Sequence, residues 1–211
     1  MASKTTGKRQ AQAAFRRKLL LEAAFRLFSE RGYRGTSVRD ITRAADVTEA
    51  VLYHYFANKA DLLSAVLATY APLAGYRQII EDAGETPVDE MLRRLGREFL
   101  RLVRERRAFV ITLLSEAPSE PELALALTGL LQGVASDVGQ FLAGRQAQGE
   151  IDPRADVVAT AGALQGGLLI RFLTTAFIQE SEDGGRGDEE AVDGLVTVIL
   201  SGLNPRGNDN R

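Results

Sequence analysis

GTSVRDITRAADVTEAVLYHYFANKADLL, residues 35–63, decides the fold. Thr36 has the residue type and position of a helix N-cap, its hydroxyl placed to accept from the amide of Arg39. Val38, Ile41, Ala44 and Ala45 then give that helix one apolar face, and Asp46-Val47 makes a turn. Thr48 caps a third helix running through Tyr53 to Phe56, with Val51, Leu52 and Tyr55 as its inward residues. Asn58 caps a fourth, striped by Leu62, Leu63, Val66, Leu67 and Tyr70. Ile41, Ala45, Val47 and Leu52 can pack together only if the second and third helices cross steeply. Such a crossing braces one helix on a nucleic-acid backbone while the next enters a major groove.

Upstream, Phe15, Leu19, Ala23 and Leu27 recur every four residues beside Leu20, Ala24 and Phe28, and Gly32 offers a stop. Downstream, Pro72 and Gly75 end the fourth helix, and longer helices follow. One carries Val88, Met91, Leu92, Leu95, Phe99, Leu102 and Val103; Ala108–Leu114 is a short apolar segment ended near Pro118. Leu123–Leu142 is closed by Gly144 or Gly149, and Pro153 starts a helix through Val157–Phe177. Ser181–Asp188 reads as a Gly- and acid-rich loop before a last helix with Val192, Leu195, Val196, Ile199, Leu200 and Leu203. No period-2 strand pattern appears. The expected fold is all-α: a disordered basic tail (1–12), a helix-turn-helix domain (13–60) and a helical ligand-binding and dimerisation domain (61–211).

Charge separates the same regions. Residues 1–60 carry 12 Lys and Arg against 5 Asp and Glu, and the rest of the chain is net acidic within an overall charge of −2. A basic head on an acidic body suits a polyanionic partner. With no Cys and one His, His54, the chain lacks a thiol nucleophile and the ligands of a zinc site. Gly144 and Gly149 have phosphate-loop spacing, but Glu150 stands where Lys is needed. No metal, cofactor or catalytic constellation is expected. The polar segment Met1–Gln12 is no signal peptide, and Gln165 and Arg171 interrupt the apolar run 157–177, which reads as a buried helix rather than a span. A cytoplasmic protein with no membrane partner is expected.

Gly35–Ile41, Ala44–Thr48 and Leu52–Leu63 together strongly resemble the TetR family of repressors over about residues 15–65. The resemblance implies a homodimer on a palindromic operator in double-stranded DNA, released when a small-molecule inducer enters the helical body. It places DNA contacts on Thr36 and Ser37 in the second helix, on Thr48, Glu49, Ala50, Val51, Tyr53 and His54 in the third, and on Lys59. Glu49-Ala50 departs from the Lys-Gly of many members; it removes a cation facing phosphate and offers an acceptor for cytosine N4. Lys4, Lys8 and Arg9 form a loose basic arm.

In the body, Ala159, Gly162, Ala163 and Gly166 mark a small-residue face, so dimerisation is expected through the last two long helices. Phe99, Val103, Phe109, Leu113, Leu164, Phe172 and Thr175 are candidates to line a mostly apolar ligand cavity. Arg171 among Leu168, Leu169, Ile170, Phe172 and Leu173 needs a partner if buried, either an anionic ligand or an acid across the dimer. The competing reading is a helical small-molecule-binding protein or adaptor with a degenerate helix-turn-helix; salt-dependent DNA binding separates the two.

Overall fold

The computed structural model describes residues 3–70, 73–178 and 184–203. Among them are ten α-helices and no strand: α1 Ser3–Arg31, α2 Val38–Ala44, α3 Glu49–Tyr55, α4 Lys59–Tyr70, α5 Leu73–Glu81, α6 Val88–Glu105, α7 Arg107–Glu116, α8 Pro121–Ala147, α9 Val157–Ile178 and α10 Gly184–Leu203. They divide into two compact units, Met1–Ala71 with Ala108–Leu130, and Pro72–Arg107 with Leu131–Arg211.

The first unit is built around α1. Leu20, Ala24, Leu27 and Phe28 meet Ile41 and Ala45 of α2, Leu52 and Phe56 at α3, and Leu62, Leu63, Val66 and Leu67 of α4. The core also takes in Phe109 and Leu113 of α7 and Leu123 of α8. A boundary at residue 60 therefore does not fit: the apolar stripe of α4 is wholly committed to the head. Nor do the described residues 3–12 form a separate tail, because the backbone of α1 is helical from Ser3; the side chains of Lys4, Lys8 and Arg9 lie outside the described residues. Phe15 is exposed, and the buried stripe begins at Leu20.

Local chemistry sets the ends of these elements. Gly32 stops α1 at φ +77°, a conformation that L side chains rarely adopt. Asp46 makes the α2–α3 turn at φ +53°, the one non-Gly residue with positive φ among those described; Asp tolerates this region because its short side chain bonds locally. Asn58 Oδ1 accepts from the Asp61 amide at 2.8 Å and opens α4.

In the second unit α6 buries Met91, Leu92, Leu95, Phe99 and Val103 and packs on α5, α9 and α10. Gly96 and Gly167 allow close approach: a Cβ on Gly96 would stand 2.8 Å from Val192, and one on Gly167 2.8 Å from Leu195. Of the two glycines offered to close α8, Gly144 lies inside the helix and Gly149 follows its end at φ +84°. Three features differ from the expectation. Helix α5 fills a stretch that carries too short a pattern to read. α9 starts at Val157 rather than Pro153, because Asp156 accepts from the amides of Val158 and Ala159. α10 already begins at Gly184, within the expected loop, while 181–183 and the stop at Pro72 lie outside the described residues.

Asp46→Val should cost about 1–2 kcal/mol through the left-handed backbone, whereas Asp46→Gly should be tolerated; urea unfolding midpoints of the two variants check this.

Candidate nucleic-acid interface

α3 is seven residues long, and burial of Leu52 and the flanking Phe56 fixes which way it faces. With those two inside, Glu49, Ala50, Tyr53 and His54 fall outside, and Thr48 sits exposed at the N-cap. Tyr53 is 52% exposed, unusual for so large a ring. The His54 ring stands edge-on to Tyr55, centroids 5.0 Å apart. The Thr48 hydroxyl accepts from the Val51 amide at 3.4 Å, and Val51 itself is half-buried. The structure thus brings Thr48, Glu49, Ala50, Tyr53 and His54 onto one open face.

The second helix corrects the sequence reading. Its N-cap is Ser37, not Thr36: Ser37 Oγ accepts from the Asp40 amide at 3.1 Å, and the Asp40 carboxylate accepts from the Ser37 amide at 3.0 Å, a reciprocal capping box. Hydrogen bonds from Ser37 hold the Asp40 carboxyl below its ordinary range. Thr36 is buried, and its hydroxyl reaches the carbonyls of Gly32 at 2.7 Å and Leu27 at 3.2 Å, so it has no face left for phosphate. Ser37 remains exposed.

Lys59 is also differently placed. Its ammonium donates to the Tyr33 carbonyl and lies 3.9 Å from the centre of the Tyr33 ring. Burial pulls its pKa below the ordinary lysine value, against the opposing pull of Glu120, Glu116 and Glu122. Its charge is used inside the head. Two cations that the sequence reading passed over, Arg39 and Arg43, are exposed one helical turn apart on α2. Their spacing of four behind the Ser37 cap was the available signal.

The body residues do not gather as expected. Phe109 and Leu113 belong to the core of the first unit, whereas Phe99, Val103, Leu164 and Phe172 are buried in the second. Thr175 is occupied by its own helix, within 3.1 Å of the Arg171 carbonyl and 3.0 Å of that of Phe172. Arg171 has an acid of its own chain: its Nε donates to Asp188 at 3.1 Å, and the same buried carboxylate takes Arg104 at 2.6 Å. Arg171 thus has an acid partner within its own chain, one that it shares with Arg104. Tyr76, missed because α5 was missed, is buried with its ring nearly perpendicular to that of Phe99, and burial raises its phenol pKa.

The model for bacterial regulatory proteins of the tetR family matches residues 20–66, the capped and crossed helices just described. The HTH-type transcriptional regulator RutR of Escherichia coli (strain K12) is 32% identical over 160 residues, 72% of this chain and 72% of that protein. The chain belongs to the TetR family. It is a helix-turn-helix transcriptional regulator, and the family's members are regulators rather than enzymes. UidR of the same strain is 29% identical over 160 residues, 74% of this chain and 79% of that protein. The fold is also that of FadR from Bacillus subtilis, crystallised with stearoyl-CoA, at TM-score 0.71 and 22% identity over 85% of this chain and 97% of that one.

Ser37→Ala should lose about 1 kcal/mol of stability with the cap. Lys59→Ala should lower the thermal midpoint in the absence of DNA, because its ammonium holds the Tyr33 carbonyl; an unchanged midpoint would return Lys59 to the list of free phosphate contacts.

Proposed function

We propose that this regulator is a dimeric repressor that grips a near-palindromic operator with α2 and α3 and releases it when a small molecule binds the helical body. The observation that carries the DNA reading is the open face of α3. Side chains at 48, 49, 50, 53 and 54 stand outward from a helix anchored by Leu52, flanked by exposed Arg39 and Arg43 on α2. In this reading Ser37, Thr48 and the two arginines hold phosphates, while Tyr53, His54, Glu49, Ala50 and the edge of Val51 meet base edges. A cytoplasmic location follows from an operator partner.

The dimer reading is supported by surface that one copy leaves uncovered. Over Val157–Ala176 mean hydropathy is 1.4 and only 22% is buried; by length and composition this stretch could cross a membrane. Its Val158 and Ile170 are 72% and 61% exposed, and Val198 of α10 is 70% exposed. A Cβ placed on Gly162 or Gly166 would meet nothing within 4 Å. A second copy of α9 and α10 covers such a face in a four-helix interface.

For the inducer, apolar Phe99, Val103, Leu164 and Phe172 supply bulk, and, besides Arg104 Nε, which is ion-paired with Asp188, the buried donors Arg106 Nη1 and Gln165 Nε2 lack acceptors among the described residues. Unmet buried donors of this kind cost about 1–3 kcal/mol each, which favours a ligand that combines an apolar body with acceptor oxygens. Arg106 thus takes the anchoring role that Arg171 was expected to have.

Binding to genomic fragments should be strongly salt-dependent, with log affinity falling against log salt at a slope of roughly −4 to −7 for about 4–8 phosphate contacts. Arg39→Ala or Arg43→Ala should each flatten that slope by about 1 or more per dimer; a slope near zero in the parent protein would favour the adaptor reading. Gly166→Leu should give monomers in sedimentation, and a variant that stays dimeric would place the interface elsewhere.

A further inference from the structure

Tyr33 lies in the short turn between α1 and α2, and nearly every feature of it is engaged. Its amide donates to Glu116 Oε2 at 2.7 Å. Its carbonyl accepts from the Lys59 ammonium, which also sits over its ring. Its hydroxyl donates to Glu122 Oε2 at 2.8 Å, and its ring leans on Phe28 with centroids 5.4 Å apart. Glu116 Oε2 accepts a second amide, that of Arg34, at 3.1 Å. The two glutamates flank the 3₁₀ turn Ala117–Ser119, which joins α7 to α8.

Three features make this more than incidental packing. Glu116 is the last residue of α7, the end where the helix dipole disfavours a carboxylate; the two turn amides compensate. A Cβ on Gly32 would stand 1.9 Å from Glu116 Oε1 and push the carboxylate from its place against the turn, and the backbone there, at φ +77°, is one that L side chains rarely adopt. Finally, the clasp grips both flanks of the recognition element at once. Tyr33 is four residues before the Ser37 cap of α2, and Lys59 is the first residue of α4, so α3 lies between the two gripped points.

We infer that Tyr33, Glu116 and Glu122 form the connection through which the α7–α8 corner holds the helix-turn-helix in register, which makes Glu116 a positioning residue for DNA binding. The inference rests on the operator-binding reading above. A shift of the corner moves the start of α2 and the start of α4 together, and changes the pose of α3 without unfolding it. Glu116 touches no DNA in this scheme; it acts through the turn amides.

The test uses the full-length protein, an operator fragment selected from genomic DNA, and the variants Glu116→Ala, Glu116→Gln and Tyr33→Phe. In Glu116→Ala the amides of Tyr33 and Arg34 should exchange hydrogen faster, and operator affinity should fall about tenfold, the loss expected for charge-assisted bonds. This is measured at a temperature where circular dichroism shows the variant folded. Glu116→Gln keeps an acceptor oxygen in place and should recover protection and affinity to within about twofold. Tyr33→Phe, which loses only the Glu122 bond, should fall between them. Faster exchange in Glu116→Ala with unchanged operator affinity overturns the positioning role. So does failure of Glu116→Gln to rescue, and, should Glu116→Ala not fold, parent-like affinity in Tyr33→Phe. If the parent protein selects no fragment at all, the operator reading itself falls and this inference with it.

Discussion

A seven-residue helix is not stable alone in water; isolated helices shorter than about 12–15 residues are marginal. α3 is therefore made by the core beneath it. Leu52 and Phe56 are all but fully buried, and Leu52 alone contributes about 1.5–3 kcal/mol. The same two contacts fix the helix's rotation, and that rotation decides that Glu49, Ala50, Tyr53 and His54 face outward. Stability and recognition are here one constraint: a residue that tilts Leu52 out of its slot also turns the reading face away.

The rest of the first unit maintains this arrangement. α1 supplies the floor, α4 closes one side, and Phe109, Leu113 and Leu123 of the α7–α8 hairpin complete the core. The polar clasp at Tyr33 adds direction to what apolar packing leaves loose, since hydrogen bonds fix angles that dispersion does not. The second unit follows another logic. Its ion pairs, Arg104 and Arg171 on Asp188, tie α6, α9 and α10 together, while the outer face of α9 stays apolar and uncovered.

Much of the head was legible in the sequence because its signals are local. Thr48 and Asn58 open helices, and Gly32 closes one, through bonds or dihedrals within four residues of themselves. The choice between Thr36 and Ser37 was not legible, since adjacent hydroxyls cap equally well on paper. It is settled by the Gly32 and Leu27 carbonyls, which draw Thr36 inward. Lys59 was not legible for a different reason: the carbonyl it binds is 26 residues away. In the body, periodicity showed that Phe109 and Leu113 are buried but not in which core, and Arg171 found its acid in a stretch whose glycines read as loop.

The central claim, that α2 and α3 together form the DNA-reading surface, is tested most directly by amide hydrogen exchange of the full chain with and without a bound operator fragment. The first amides of both helices have no intrahelical acceptor. On binding, exchange should slow at 37–40 and 48–54, while amides along α9 keep their rates. Protection confined to the second unit, with 37–54 unchanged, would contradict the account.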